Sequence, residues 1–285
     1  MAKLVECVPN FSVSKEKDEK VFQGLVDVAN SIPGCFVFDI QSDGNHNRCV
    51  FTLLGSPEAM AEAAFRLTKQ ATETIDMTKH VGQHPRMGAT DVIPFIPTMD
   101  TTVEECVELS KQVAKRLWDE LGLPSFLYED SATRPERRNL ATCRKGQFEG
   151  MAEKLLEPDW APDFGERKIH PTAGIVAIGA RMPLIAYNIN LDSDDIDLAK
   201  RIARRVRSVT VPSRTARVSL MRARASAVSA LSGQRRRMTR AAAITSASGY
   251  LMLIGMSSRR SSSVGAWMEM ARRNCSGRSP SATIP

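Results

Sequence analysis

The first hundred residues alternate strand and helix patterns in an order that few folds accommodate. Apolar strand patterns occupy residues 4–8, 35–40, 49–54 and 92–96, and apolar residues at helical spacing cover residues 15–30 and 57–74. Ser56 and Pro57 supply a cap and a first-turn proline for the second helix. The order β-α-β-β-α-β is typical of ferredoxin-like domains, in which both helices cover one face of a sheet with antiparallel strands. We therefore predict an α+β fold.

Further elements are predicted beyond residue 100. A helix is expected over residues 102–121, ended by Gly122, and strands over residues 125–128, 175–180 and 184–190. Residues 134–138 are expected to be a solvated helix start. A last helix, capped by Ser193 or Asp194, is expected to extend to Val206.

The chain changes composition at about Val206. Residues 1–206 hold 25 Lys plus Arg against 31 Asp plus Glu, a balance of −6. Residues 207–285 hold 14 Arg, no Lys, 16 Ser and a single acid, Glu269, a balance of +13. Helical or strand periodicity does not persist there beyond about ten residues, apart from an apolar stretch at residues 250–256. The overall charge of +7 therefore describes neither part.

Hydrophobic runs and cysteine spacing argue against a membrane protein, a secreted protein and a zinc-binding protein. No apolar run approaches eighteen residues, and the first residues lack the basic and then apolar layout of a signal peptide. The six cysteines are scattered singly, which favours reduced structural thiols over a zinc ribbon or a disulfide framework. A soluble cytoplasmic protein is expected, with no membrane partner.

The loop around His84 concentrates groups that can do chemistry. Histidine takes and gives protons near neutrality, and Pro85 restricts the backbone beside it. Arg86 can hold a carboxylate with two parallel hydrogen bonds. Strand ends and connecting loops are expected to gather Asn10, Asp39, Asn47 and Arg48 near His84. The same stretch is also compatible with an ordinary turn that carries surface histidines.

A metal site is not expected in this loop. His80 and His84 have the spacing of two ligands on a helix, but Gly82 and Pro85 argue against a helix there. His46 and His170 are expected to be turn residues.

Several long motifs occur in the order found in glutamate formiminotransferases, and over residues 1–206 the chain resembles this family of folate enzymes. The motifs are Val5-Glu6-Cys7-Val8-Pro9-Asn10-Phe11-Ser12, His84-Pro85-Arg86-Met87-Gly88-Ala89, Asp91-Val92, Pro94-Phe95-Ile96-Pro97, Asp159-Trp160-Ala161-Pro162-Asp163-Phe164-Gly165 and Leu184-Ile185-Ala186-Tyr187-Asn188-Ile189-Asn190. The resemblance implies transfer of a formimino group between N5 of tetrahydrofolate, a co-substrate, and the amine of L-glutamate in histidine degradation. It also implies a cytoplasmic homodimer.

The resemblance assigns roles to particular residues. The catalytic histidine of the family corresponds to His84, which would act as general acid and base. Arg48 or Arg86 is a candidate clamp for a substrate carboxylate, and Asp39 a candidate to orient an imidazole or the incoming ammonium. Asn10, Arg48 and Asp39 are equally compatible with structural turn roles. The folate segment of the family corresponds to Gly165, Glu166, Arg167, Lys168, Ile169, His170, Pro171, Thr172, Ala173 and Gly174.

The chain departs from the family after residue 206. We expect residues 1–182 to form the N-terminal subdomain and residues 183–206 the start of a second α+β subdomain. The loss of lysine and acid beyond that point is what a shifted reading frame produces from GC-rich coding sequence, so residues 207–285 are expected to be frameshift product. Two alternatives stay open: an inactive folate-binding relative that lacks the second subdomain, and a protein whose basic tail binds polyanions such as nucleic acid.

Overall fold

The computed structural model describes residues 3–183, 186–187, 197–198, 201 and 251–252. The strands are β1 (Val5–Cys7), β2 (Asn10–Phe11), β3 (Phe36–Asp43), β4 (Arg48–Gly55), β5 (Thr90–Pro97), β6 (Ser125–Leu127), β7 (Val176–Ala180), β8 (Ala186–Tyr187) and β9 (Leu251–Met252). The helices are α1 (Glu19–Asn30), α2 (Pro57–Thr74), α3 (Val103–Leu121), α4 (Leu140–Arg144) and α5 (Gln147–Lys154), and 3-10 turns occupy Glu129–Ser131, Pro135–Arg138 and Pro158–Trp160.

The order of strands in the main sheet is β3, β4, β1 with β2, β5, β7 and β6. Strands β1 and β2 lie end to end and together fill the position between β4 and β5. Strands β1 and β2 are separated at Pro9, and both pair antiparallel with β4 on one side and β5 on the other. The α+β prediction is confirmed, with the predicted β-α-β-β-α-β order at the N-terminus. Strands β7 and β6 extend the sheet by parallel pairing from β5.

The helix ends follow the signals in the sequence. Asp18 and Ser56 accept hydrogen bonds from backbone N–H groups of the first turns of α1 and α2. Thr102 and Glu105 form a reciprocal capping box at the start of α3, and Gly122 ends that helix with φ +61°.

Two apolar cores lie on opposite faces of the sheet. The larger core joins α1, α2 and α3 to the sheet and includes Phe11 and Phe51, whose rings meet edge to face with centroids 5.4 Å apart. The smaller core lies under α4 and α5 and includes Val92 of β5, Phe126 of β6 and Met151 of α5. The opposite face is therefore covered by α4 and α5 over β5, β7 and β6.

Two local predictions were wrong. The strand predicted over residues 35–40 was too short, because Gln41, Ser42 and Asp43 pair with Val50, Cys49 and Arg48 and extend β3 to Asp43. Residues 134–138 were predicted to be solvated, but Arg137 is 1% exposed. Its charge is balanced by the carboxylate of Asp163, which allows a guanidinium to be buried.

Most of the predicted strand at residues 184–190 and helix up to Val206 lies outside the described residues, as does the tail apart from residues 251–252. Within the described part, β8 pairs with β9 in parallel. None of the helices in the described ranges is long and apolar enough to cross a bilayer.

Candidate active site

The loop that carries His84 is bound to the turn between β3 and β4. His80 Nε2 lies 3.0 Å from the carbonyl oxygen of Asn47, and Asn47 Nδ2 donates to the carbonyl of Val81 at 3.1 Å. The backbone N–H of Gln83 donates to the carbonyl of Asn45 at 3.1 Å. These bonds fix the position of the histidine loop relative to the sheet.

Gly82 is required at this junction. A β-carbon at this position would lie 2.3 Å from the carbonyl oxygen of His46, a distance that real β-carbons do not reach. The glycine that argued against a helix thus serves the close approach of two loops.

His84 is held as a neutral imidazole. Its Nδ1 lies 2.6 Å from the carbonyl oxygen of Pro85, which can only accept, so Nδ1 carries the proton and Nε2 the lone pair. Burial, together with the positive charges of Arg48 and Arg144, lowers the pKa of His84 to about 4. Near neutral pH the ring is therefore a base with a free lone pair at Nε2.

A second imidazole lies beside His84. The ring of His46 meets that of His84 edge to face, with centroids 5.8 Å apart. His46 Nδ1 is 3.1 Å from Oδ2 of Asp43, and the backbone N–H of His46 donates to the other carboxylate oxygen at 2.9 Å. His46 was expected to be a turn residue, and it is one that also contacts the candidate catalytic ring.

Asp91 lies at the centre of the charged groups near His84. Its side chain is fully buried, Arg48 Nη1 donates to its Oδ2 at 2.7 Å, and Arg144 donates to both of its oxygens. The backbone N–H of Met87 also donates to Oδ1, at 3.2 Å. Burial alone would raise the pKa of Asp91, but the two guanidiniums hold it below its usual value.

Asn10 is joined to this group. Its Oδ1 accepts a hydrogen bond from Arg48 Nη2 at 2.9 Å, and its Nδ2 donates to the carbonyl of Val8 at 2.7 Å. The expected gathering of Asn10, Arg48 and the His84 loop is therefore seen in the structure.

Asp39 lies further away on the same face of the sheet. It pairs with Thr52, whereas Asp43 pairs with Arg48, so Asp39 and Arg48 are separated by roughly 13 Å along the strands. Its Oδ2 accepts from Gln41 Nε2 at 2.9 Å, and no described imidazole is its partner. Asp43, rather than Asp39, is the carboxylate that lies beside an imidazole, with its Oδ2 3.1 Å from Nδ1 of His46.

Arg86 is committed to contacts within the protein. Its two terminal nitrogens bind the carboxylate of Glu149, at 2.9 and 2.5 Å, and one of them also binds Gln147 at 2.9 Å. Its Nε donates to Nδ1 of His80 at 3.2 Å. These bonds tie the histidine loop to α5 and leave Arg48 as the better placed of the two candidate clamps.

The C-terminal end of segment 165–174 is joined to the His84 loop. The backbone N–H of Ala89 donates to the carbonyl of Ala173 at 2.9 Å, and that of Ile175 to the carbonyl of Met87 at 3.1 Å. Within the segment His170 and Gly174 exchange two backbone hydrogen bonds of 2.9 Å, which close a tight turn.

The other end of the segment is anchored away from the loop. Gly165, with φ +117°, packs against Pro124 and Trp118 so closely that a β-carbon there would lie 2.8 Å from a carbon of Pro124. Between the two ends, four residues are exposed to solvent: Glu166, Arg167, Lys168 and Pro171. Ile169 and Thr172 are half-buried, and Ile169 packs against the smaller core.

The aromatic residues of the motif at positions 159–165 pack within the protein. Trp160 lies edge to face with Phe126, at 5.7 Å between centroids, and Lys154 Nζ lies 3.6 Å from the centre of the Trp160 ring. Phe164 packs against the larger core. These contacts are structural.

Three groups at this site were not predicted from the sequence: Asp43, Asp91 and Arg144. Arg144 and Asp91 are 53 positions apart, and no local periodicity indicates that they meet. The available signal was the position of Asp91 in a recognised motif, at the start of β5.

Comparison with known proteins decides the family. Residues 4–181 match the family model of the formiminotransferase domain, N-terminal subdomain. The chain belongs to the formiminotransferase family.

The relatives of this chain include proteins named glutamate formimidoyltransferase and proteins named formimidoyltransferase-cyclodeaminase. The glutamate formimidoyltransferase of Streptococcus pyogenes serotype M1 is 65% identical over 207 residues, which are 73% of this chain and 69% of that protein. The glutamate formimidoyltransferase of Thermoplasma acidophilum is 43% identical over 207 residues, 72% of this chain and 67% of that protein. The formimidoyltransferase-cyclodeaminase of Gallus gallus is 45% identical over 207 residues, but this chain spans only 38% of its length.

The names of these relatives favour the predicted transferase over both alternatives, the inactive folate-binding relative and the polyanion-binding protein.

Proposed function

We propose that this formiminotransferase moves a formimino group between N5 of tetrahydrofolate and the amine of L-glutamate, with His84 as the proton carrier. The relatives named glutamate formimidoyltransferase support the reaction. The observation that supports the role of His84 is its neutral ring, with Nδ1 bound to the carbonyl of Pro85 and Nε2 free to act as a base.

The proton transfers balance through one imidazole. As the amine of glutamate forms a bond to the formimino carbon, Nε2 of His84 takes a proton from the attacking nitrogen. As the bond between that carbon and N5 breaks, the imidazolium returns the proton to N5. The opposite direction runs through the same steps in reverse, and no metal is needed.

The folate is proposed to lie along segment 165–174. The backbone hydrogen bonds from Ala89 to Ala173 and from Ile175 to Met87 support this assignment, because they hold one end of the segment beside the proton carrier. The exposed side chains of Glu166, Arg167 and Lys168 would then face solvent or the polar parts of the folate. Arg48 is proposed to clamp a substrate carboxylate, and Asp39, roughly 13 Å from Arg48 along the strands, has no role in this proposal.

The test of His84 is a comparison of variants with N-formimidoyl-L-glutamate and tetrahydrofolate as substrates. We expect His84→Gln to lower kcat by about 10²- to 10⁴-fold, the usual contribution of general acid–base catalysis. Val81→Ala is the matched control, because Val81 lies in the same loop with its side chain exposed. A His84→Gln enzyme within a few-fold of the parent would overturn the assignment.

Residues 207–285 are proposed to be the product of a shifted reading frame. The compositional break near Val206 and the extent of the similarity, 207 residues, support this proposal. Sequencing the coding DNA around the codons for Arg205 to Ser208 tests it, because another frame should restore a strand and helix pattern. Equal activity of this chain and of the frame-restored protein would argue that the tail does no harm, and an unbroken frame would overturn the proposal.

A homodimer in the cytoplasm is proposed from the family resemblance. Light scattering of the purified chain after size exclusion tests the dimer, and fractionation of cells tests the compartment.

A further inference from the structure

Two guanidinium groups share one carboxylate beside His84. Arg48 comes from β4, Arg144 from the last residue of α4 and Asp91 from β5, so three separate elements converge on this point. The Asp91 side chain is fully buried, and those of Arg48 and Arg144 are 9% and 16% exposed. We call these three residues the arginine seat.

The arginine seat has one positive charge more than its own carboxylate balances. Arginine stays protonated in proteins, and a charge removed from water is costly unless it is paired. Two nearby carboxylates of the described residues are in contact with other groups: Glu149 of α5 binds Arg86, and Asp43 at the end of β3 lies 3.1 Å from His46. The excess charge of the seat is therefore available to an anion from outside.

Donor groups remain for such an anion. Arg144 uses Nε and Nη2 on Asp91, and its Nη1 has no partner among the described residues. Arg48 uses Nη1 on Asp91 and Nη2 on Asn10, which leaves its Nε. Because Asp91 fixes the guanidinium planes of Arg48 and Arg144, the unused N–H groups are held in place before a ligand arrives. This lowers the conformational entropy that is lost on binding.

We infer that the arginine seat binds the α-carboxylate of the glutamate substrate. This inference rests on the proposed reaction and names the group that the site recognises. The α-carboxylate and the reacting amine are attached to the same carbon, so a seat beside His84 holds the amine within reach of Nε2. The carboxylates of a folate are separated from N5 by its aminobenzoyl ring and suit a more distant site.

A carboxylate in the seat also acts on His84. The charged and titratable groups that act on or face its ring are Arg48 on β4, Arg144 on α4, Asp91 on β5 and His46 on the β3–β4 turn. A bound carboxylate offsets the excess positive charge, so it raises the pKa of His84 from about 4 toward the ordinary value. The substrate thus strengthens the base that must deprotonate its own amine.

The test uses two ligands, each of which lacks a different one of the two carboxylates of glutamate. L-Glutamine keeps the α-carboxylate and lacks the side-chain one, whereas L-isoglutamine, the α-amide of glutamate, lacks the α-carboxylate. We expect glutamine, but not isoglutamine, to raise the pKa of His84 in an NMR titration of the full chain. Equal responses to the two ligands would overturn the inference.

Variants of Arg144 provide the second readout. Arg144→Gln should raise KM for glutamate by about ten- to hundred-fold, the value of one or two charge-assisted hydrogen bonds, and leave KM for tetrahydrofolate within a few-fold. It should also raise the pKa of His84 in the free protein. Arg144→Lys keeps the positive charge but not the paired hydrogen bonds of a guanidinium. If Arg144→Gln does not fold, the same KM values are measured with Arg144→Lys. Arg138→Gln, on an exposed residue of the same segment, is the matched control.

The outcomes separate the inference from the proposed reaction. The NMR titration needs no turnover. An inactive chain in which glutamine still raises the pKa of His84 would therefore support the arginine seat as a carboxylate site and contradict the proposed reaction. An active enzyme in which Arg144→Gln raises KM for tetrahydrofolate, but not for tetrahydropteroate without its glutamyl tail, assigns the seat to folate and overturns the inference.

Discussion

A β-carbon on Gly174 would lie 2.3 Å from the carbonyl oxygen of Met87. Gly174 also has φ +74°, so only a residue without a side chain fits between the candidate folate segment and the His84 loop. We expect Gly174→Ala to lower the melting temperature and to weaken folate binding, because the backbone bonds that join the two segments must lengthen. Thermal unfolding and folate titration measure the two effects.

Gly150→Ala is the control for that substitution. Gly150 lies within α5, and an added β-carbon there meets nothing within 4 Å. Because alanine favours helix over glycine, this variant should be more stable by about 0.5–1 kcal/mol. Equal effects at the two glycines would contradict the steric argument.

The pH dependence of stability should carry the signature of His84. Its pKa is about 4 in the folded protein and near 6.5 when exposed, so the unfolded state binds more protons between these values. Stability is therefore expected to fall as pH decreases from 6.5 to 4. The free energy of unfolding, measured with urea at several pH values in this range, should change less steeply with pH for His84→Gln than for the parent. Part of the pH dependence should remain, because burial also lowers the pKa values of His80 and His170.

Substitution of Arg86 distinguishes a structural role of this residue from a role as a substrate clamp. It is buried and bound to Glu149, so Arg86→Gln should destabilise the protein by about 1–3 kcal/mol. Glu149→Gln, which removes only the partner charge from an exposed side chain, should have a smaller effect in the same direction. If Arg86→Gln raised KM for glutamate without a change in melting temperature, the substrate-clamp role would stand instead.

Arg137 and Arg138 are neighbours with opposite expected behaviour. Arg137 binds the carboxylate of Asp163 and the carbonyls of Asp159 and Ala161, all in the motif at positions 159–165. Arg137→Ala leaves the buried Asp163 uncompensated and should cost about 3–5 kcal/mol of unfolding free energy. The exposed Arg138→Ala should change it by less than about 0.5 kcal/mol, and chemical denaturation compares them directly.

The N-terminal half of the fold was predictable because its signals are local. Helical spacing, the caps at Ser56 and Thr102 and the stop at Gly122 each act within one turn of chain. The burial of Arg137 was not predictable, since a run of charged residues gives no sign that one of them has a distant carboxylate.

The candidate site was predictable only in part, for a related reason. His84 and Asn10 lie in recognisable motifs, but the meeting of Asp91 with Arg144 depends on how α4 packs across the sheet. The position of Asp39 depends on the register of β3, which a sequence pattern does not fix when both faces carry polar residues.

Strand β5 belongs to both apolar cores. Ile93 and Phe95 point into the larger core, and Val92 between Asp91 and Ile93 points into the smaller one. Because β5 packs into both cores, disorder in one core removes contacts that hold this strand in place for the other. The described part of the chain should therefore melt in a single cooperative transition rather than in two steps. The arginine seat, which takes residues from β4, β5 and α4, would then be lost in that same transition.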